Sequence, residues 1–179
     1  AYTVGWDGQQ DTVYCLDAVS GALQWKQSYA SAGIKQWPGP RSTVTVHAGR
    51  VFTLGLHGHL ACFAARDGQP QWSVQLAASY NPDVDYGLAW SPLIEGNLLI
   101  LSGGKGGLAL RAEDGDFVWG NDGQHGACTS PVPYDQDGKH GVVLVLTNPD
   151  RESASVVAVQ PQTGRELWRY PAWNEKWGA

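Results

Sequence analysis

Short apolar runs, alternating in places with small polar side chains and split by glycine-bearing turns, fill most of this 179-residue chain. The clearest stretch reads as strands at 42–46, 51–56, 60–65 and 69–76, with turns at His47-Ala48-Gly49-Arg50, His57-Gly58-His59 and Arg66-Asp67-Gly68. Runs of this length, rich in Val, Leu and Phe and bounded by Gly, predict an antiparallel meander. The same reading follows at 91–94, 98–101, 108–112 and 117–119. It recurs at 129–132, 142–147, 156–159 and 166–170, with a longer first turn over 135–139. Near the start, residues 2–6 match a second strand and 13–17 a third. No window sustains a 3.6-residue apolar period, so almost no helix is expected.

The third-to-fourth strand segment is repeated four times. Cys15, Cys62, Ala109 and Ala158 open the copies, Gly21, Gly68, Gly115 and Gly164 follow six positions later, and Trp25, Trp72, Trp119 and Trp168 close them. A recurrence of 47 to 49 residues marks a repeat architecture. One meander of this size cannot bury both its faces, whereas stacking meanders radially does, which is the β-propeller solution. Each tryptophan is then a wedge between blades, its indole N–H free to reach a neighbouring carbonyl. Each glycine falls where a tight turn needs positive φ. The expected fold is all-β: four-stranded antiparallel blades, about four present and the first incomplete, over 1–36, 37–85, 86–125 and 126–179 of one domain covering 1–179.

The pattern small-x-Asp-x-x-Ser/Thr-Gly-x-x-x-Trp resembles the tryptophan-docking motif of pyrroloquinoline-quinone (PQQ)-type propellers. Cys15, Asp17, Ser20, Gly21 and Trp25 keep it in full, and Ala158, Thr163, Gly164 and Trp168 keep most of it. The middle copies depart, with Ala64 and Arg111 at the Asp position and Asp67 and Asp114 at the Ser/Thr position. The wording Gly39-Pro40-Arg41-Ser42-Thr43, Tyr86-Gly87-Leu88-Ala89-Trp90-Ser91-Pro92 and Leu167-Trp168-Arg169-Tyr170-Pro171 is similar to the non-enzymatic PQQ-like repeat proteins. Those in turn are similar to the propeller lipoprotein that helps assemble outer-membrane β-barrels. The resemblance implies a ring of seven or eight blades, of which this chain is about half, and a place in the periplasm or cell envelope of a bacterium.

Charge and composition narrow the partners. A net charge of −5 with twelve scattered Lys and Arg gives no basic surface for nucleic acid. No run of eighteen apolar residues is present, so no membrane-spanning helix is expected. Cys15 and Cys62 stand where the other copies have Ala, which predicts buried stand-ins, because free cysteine behaves as a small hydrophobe. Equivalent positions in adjacent blades are too far apart for a disulfide. Cys128, at the entry to a first strand, is expected nearer the surface.

The meander places its connections on two rims. One carries the short first-to-second and third-to-fourth turns. The other carries the second-to-third turns and the long interblade segments 26–41, 73–90 and 120–127, and long aromatic loops on a rigid scaffold are where binding usually sits. Trp37, Arg41, Tyr86, Trp90 and His125, with Tyr80, are the rim binding candidates, although Trp37 and Trp90 could equally plug the funnel or seal blades. Other motifs read as structure. Ser102-Gly103-Gly104-Lys105-Gly106-Gly107 lacks the Ser or Thr and the helix that a phosphate loop needs. His57-Gly58-His59 shows no third zinc ligand nearby. Asp135-Gln136-Asp137-Gly138 opens like a calcium loop but continues with Lys139 and His140. Asp83 and Asp85 flank Val84 in a loop and read as solvated.

The sequence therefore points to a non-catalytic propeller scaffold that binds protein or carbohydrate through its long-loop rim, with no catalytic residue, cofactor or metal assigned. Apolar faces at the two ends of the arc add an expectation of self-association. The alternative is a fragment of a PQQ- and calcium-dependent quinoprotein alcohol or sugar dehydrogenase. Enzymes of that kind, as the resemblance implies, use a calcium-binding Glu and Asn, a base Asp, a tryptophan platform and often an adjacent cysteine pair. No such set is recognisable here. A third reading is the sensor region of a larger signalling protein.

Overall fold

The computed structural model describes residues 1–31, 39–76, 88–103, 106–120, 129–147 and 154–173. All the elements named among them are β-strands, in four antiparallel sheets. The first sheet has three strands, β1 (Tyr2–Trp6), β2 (Gln10–Leu16) and β3 (Leu23–Ala30). The second is β4 (Thr45–His47), β5 (Arg50–Leu54), β6 (His59–Ala64) and β7 (Pro70–Gln75). The third is β8 (Leu93–Glu95), β9 (Leu98–Leu101), β10 (Leu108–Arg111) and β11 (Phe117–Trp119). The fourth is β12 (Val132–Gln136), β13 (Lys139–Thr147), β14 (Ala154–Val159) and β15 (Glu166–Trp173). Each is an up-and-down meander of consecutive strands, as the turn pattern predicts. The architecture is a partial β-propeller of about four blades.

Blade four departs from the expected register. Its first strand is Val132–Gln136 rather than 129–132, and the long turn at 135–139 is a two-residue hairpin in which Gln136 pairs with Lys139. Asp137 (φ 51°) and Gly138 (φ 73°) both adopt the left-handed conformation that such a hairpin demands. Asp135 and His140 consequently leave the loop and face each other across a strand pair.

The turn before each tryptophan is one device built from two chemistries. Ser20 and Thr163 hydroxyls, and Asp67 and Asp114 carboxylates, each accept the backbone N–H two residues on, at 3.0–3.3 Å. The Asp for Ser/Thr departures in the middle copies therefore preserve the turn, since both side chains can satisfy the same donor. The glycines at 21, 68, 115 and 164 have φ between 68° and 80°.

Three apolar clusters fill the spaces between successive blades. Val13, Cys15 and Trp25 meet Val51, Ala61 and Phe63 between blades one and two. Phe52, Leu54, Leu60 and Leu76 meet Leu99, Leu101 and Leu108 between blades two and three. Ile100 and Ala109 meet Val142, Leu144 and Val157 between blades three and four. Cys15 and Cys62 are free and buried, in the small-residue positions expected of them.

Candidate functional site

The rim that carries the second-to-third turns gathers polar groups where blades one and two meet. Asp11 enters from the start of β2, Tyr29 from the end of β3 and Thr53 from the end of β5. His57 and His59 flank the β5–β6 turn. Asp11 is fully buried, and neither carboxylate oxygen closes a hydrogen bond; the hydroxyls of Tyr29 and Thr53 are likewise buried without a partner. Gly55 makes room for them: a Cβ there would sit 3.2 Å from Asp11 Oδ2 and 3.3 Å from Tyr29 Cε2.

The electrostatics follow from that burial. Desolvation pushes the Asp11 carboxyl above the usual carboxylate range, outweighing the downward pull of Ser31, His57 and Tyr29. The Tyr29 phenol is pushed up to about 12, first by burial and then by the Asp11 charge. His59 stacks on Tyr29 with ring centroids 4.3 Å apart, and burial lowers its pKa. Adjoining this group and sharing Tyr29 and His59 with it, β3, β6 and β7 frame a cleft of about 260 Å³. Tyr29, Phe63 and Trp72 form its aromatic walls, and Gln27, Gln71 and Ser73 supply amide and hydroxyl groups. Aromatic surface interspersed with a few polar groups is the ordinary make-up of a ligand cleft.

A second feature of the inner strands went unread in the sequence. The Thr43 backbone N–H donates to Ser91 Oγ at 2.8 Å, and the Ser91 N–H donates to Ser130 Oγ at 2.9 Å. Thr45 Oγ1 donates to the Pro92 carbonyl at 2.6 Å. These bonds tie the first strands of blades two, three and four side by side. The signal was the Ser-Thr or Ser-Pro pair opening each first strand.

Of the sequence candidates, Arg41 lies partly buried just before this serine belt. Trp90 is only 1% exposed and packs with Phe52, Leu88 and Leu101, so it seals blades two and three and presents no face to a ligand. Trp37, Tyr80, Tyr86, His125, Asp83, Asp85 and Cys128 lie outside the described residues. His57 and His59 end up beside Asp11 and Tyr29 respectively. Among the described residues no three His, Cys, Asp or Glu side chains converge to hold a metal ion. No helix among them is long and apolar enough to cross a membrane, a statement that leaves β-barrels aside.

The fold is that of a propeller of PQQ-like repeats. A family model described as outer membrane protein assembly factor BamB matches residues 9–177, and the chain belongs to that family. Among solved structures it is similar to BamB from Moraxella catarrhalis at 16% identity and TM-score 0.58, covering 94% of this chain and 47% of that one. It is similar to a quinohemoprotein alcohol dehydrogenase from Pseudomonas putida at 20% identity and TM-score 0.59, covering 99% and 34%. A quinohemoprotein alcohol dehydrogenase from Comamonas testosteroni matches at 14% identity and TM-score 0.59, covering 97% and 34%. These likenesses establish the fold, and the chain spans about half the length of the BamB structure and a third of the dehydrogenases. Among curated protein sequences nothing matches.

Proposed function

We propose that this chain is a non-catalytic propeller scaffold of the bacterial cell envelope. It engages a protein partner of outer-membrane protein assembly through its long-loop rim. The observation that carries the reading is the family match over nearly the whole chain. Two features support it: Arg41 lies beside the serine belt at that rim, and the cleft walled by Tyr29, Phe63 and Trp72 runs from the rim along the outer strands of blades one and two, offering an extended partner aromatic surface. The rigid blades beneath it hold that surface in place at little entropic cost on binding.

Removal of the encoding gene from its host is expected to lower the folded fraction of outer-membrane β-barrel proteins, scored by heat-modifiable electrophoresis. Restoring the wild-type protein recovers folding, and Arg41→Glu recovers it only in part. Barrel folding that is unchanged by removal would overturn the reading. So would a rim that binds envelope glycans and no protein.

A further inference from the structure

The joint between blades one and two is built like the joint between blades two and three, except at its outer end. Trp25 donates its indole N–H to the Ala65 carbonyl of the next blade at 2.9 Å, and Trp72 to the Ala112 carbonyl at 3.2 Å. Two and four residues after Trp72 come Val74 and Leu76, which pack into the apolar cluster against blade three. The matching places after Trp25 hold Gln27 and Tyr29. Both face blade two: Gln27 pairs with Val13 and Tyr29 with Asp11, and residues paired across two strands share one face of the sheet. Where the second joint closes on two aliphatic side chains, the first opens into the cleft between β3 and β7.

The lining of that cleft decides what fits it. Tyr29 presents its ring, since its hydroxyl is buried. His59 covers part of that ring at a centroid distance of 4.3 Å, and Phe63 is only 5% exposed. The aromatics are therefore walls of a slot and not an open platform on which a sugar ring stacks. Gln27, Gln71 and Ser73 add neutral polar groups, and no Asp, Glu, Lys or Arg among the described residues lines it. A charged side chain entering there would lose its water without gaining an ion pair. At about 260 Å³ the slot is also smaller than the roughly 300–1,000 Å³ of sites that enclose a whole drug-sized molecule. One large uncharged side chain of a bigger partner meets both limits.

We propose that the slot takes a tyrosine side chain of the protein partner, a step that rests on the protein partner proposed above. A flat ring fills the gap between Tyr29 and Phe63, and aromatic pairs of this kind add to the area they bury. The phenol end meets the amides and hydroxyl of Gln27, Gln71 and Ser73, so it keeps a hydrogen bond on burial. Gln71 already donates to the Gln69 carbonyl at 3.3 Å, which leaves its amide oxygen to accept from the phenol. Phenylalanine has nothing to offer those groups, and leucine forgoes the ring contacts as well. Tyrosine also presents its large area on few rotatable bonds, which suits it to anchor an interface.

The test titrates the 179-residue chain with N-acetyltyrosinamide, N-acetyl-leucinamide and N-acetylglucosamine, following the backbone resonances of Gln27, Tyr29, Gln71 and Ser73 by NMR. The tyrosine amide is expected to bind in the millimolar range and to shift resonances on both walls. The leucine amide should bind about tenfold more weakly, the worth of one aromatic pair, and the sugar should shift nothing. The double variant Gln27→Val, Tyr29→Leu carries the side chains of the neighbouring joint, and it should fold and bind the tyrosine amide about tenfold more weakly. Gln71→Ala alters an exposed side chain and so keeps the fold. It should weaken the tyrosine amide and leave the leucine amide unchanged. Leucine amide binding as tight as that of tyrosine amide, shifts with the sugar, no binding at all, or variants that bind like wild type would each overturn the proposal. The chain is titrated alone, so such a failure strikes the slot, whereas the protein-partner reading stands or falls on barrel folding after gene removal.

Discussion

Between blades two and three, Phe52, Leu54, Leu60, Leu99 and Leu101 interlock with Trp90 in a continuous apolar cluster. Between blades one and two the long-loop end of the same junction holds Asp11, Tyr29 and Thr53, all with unpartnered buried oxygens. Both junctions use the same wedge, Trp72 in one and Trp25 in the other, with the same hydrogen bond to the next blade. The difference teaches that the tryptophan joint fixes how blades stack, while the rim end of the junction is free to take other chemistry. Burying polar groups without partners costs free energy, so such a cluster persists where the rest of the junction is strong enough to carry it. In this molecule that place adjoins the cleft.

The largest expected effect breaks the dry junction. Trp72→Ala removes an aromatic wedge that touches Phe52 and donates to Ala112, and it is expected to destabilise the chain by about 3–5 kcal/mol in urea unfolding. A loss below about 1 kcal/mol would show that the joint is not what holds the blades.

Next come paired glycine substitutions that separate strain from contact. Gly115→Ala and Gly21→Ala both force a side chain into positive φ, at 80° and 72°, a cost of about 1–2 kcal/mol. Only Gly115 also lies beneath an indole, with its Cβ 2.7 Å from Trp72, whereas Gly21 has open space. Gly115→Ala should lose about 1–3 kcal/mol more, the typical cost of overpacking. Equal losses would mean that the turn alone, and not the docked ring, requires glycine.

These positions also mark what could be read from the chain. The meander, the wedge tryptophans and the turn glycines were legible because they repeat at a fixed spacing and carry local chemistry. The Asp11 cluster was not. Gln10-Asp11-Thr12 looks like the wet end of a strand, and Asp11 is buried in part by Gly55, more than forty positions away in the next blade. Trp90 stayed open between two readings, a rim aromatic or a seal between blades, because only the fold brings Phe52 and Leu101 of different blades into one cluster with it. The blade-four hairpin did carry a local signal, Asp137-Gly138, which lost out to the surrounding run of polar residues.

The polar junction is sharpened by Asp11→Asn. A carboxyl whose pKa is raised on folding binds its proton more tightly in the native state. Its contribution to stability is therefore most favourable below the unfolded value of about 3.9, falls as pH rises through the folded value, and stays low above it. At pH 7 the asparagine variant should be more stable than wild type, by about 1 kcal/mol. Its acid-side stability profile should also be flatter. A destabilised variant with the wild-type pH profile would show that the charge is stabilised there by something the buried cluster conceals.

The smallest effect belongs to a third junction, where blades three and four are joined at the opposite rim. His140 Nε2 meets Glu95 Oε2 of blade three at 2.8 Å, and its Nδ1 meets Asp135 Oδ1 of blade four at 2.9 Å. A neutral imidazole has one N–H and cannot donate to both carboxylates, so the clasp requires the imidazolium. Glu95 and then Asp135 accordingly raise the His140 pKa. The stabilisation is fully present below about 6.5, the unfolded value, and is lost as pH rises through the folded value. Because the ring and Asp135 are solvent-exposed, the clasp is screened, and His140→Ala should cost less than about 1 kcal/mol at pH 6. It should cost nothing at pH 9. An NMR titration of the His140 ring that gives a midpoint at or below the ordinary histidine value would remove the clasp. The stacking of blades three and four would then rest on Trp119, the Ser91–Ser130 bond and the apolar cluster around Val142 and Leu144.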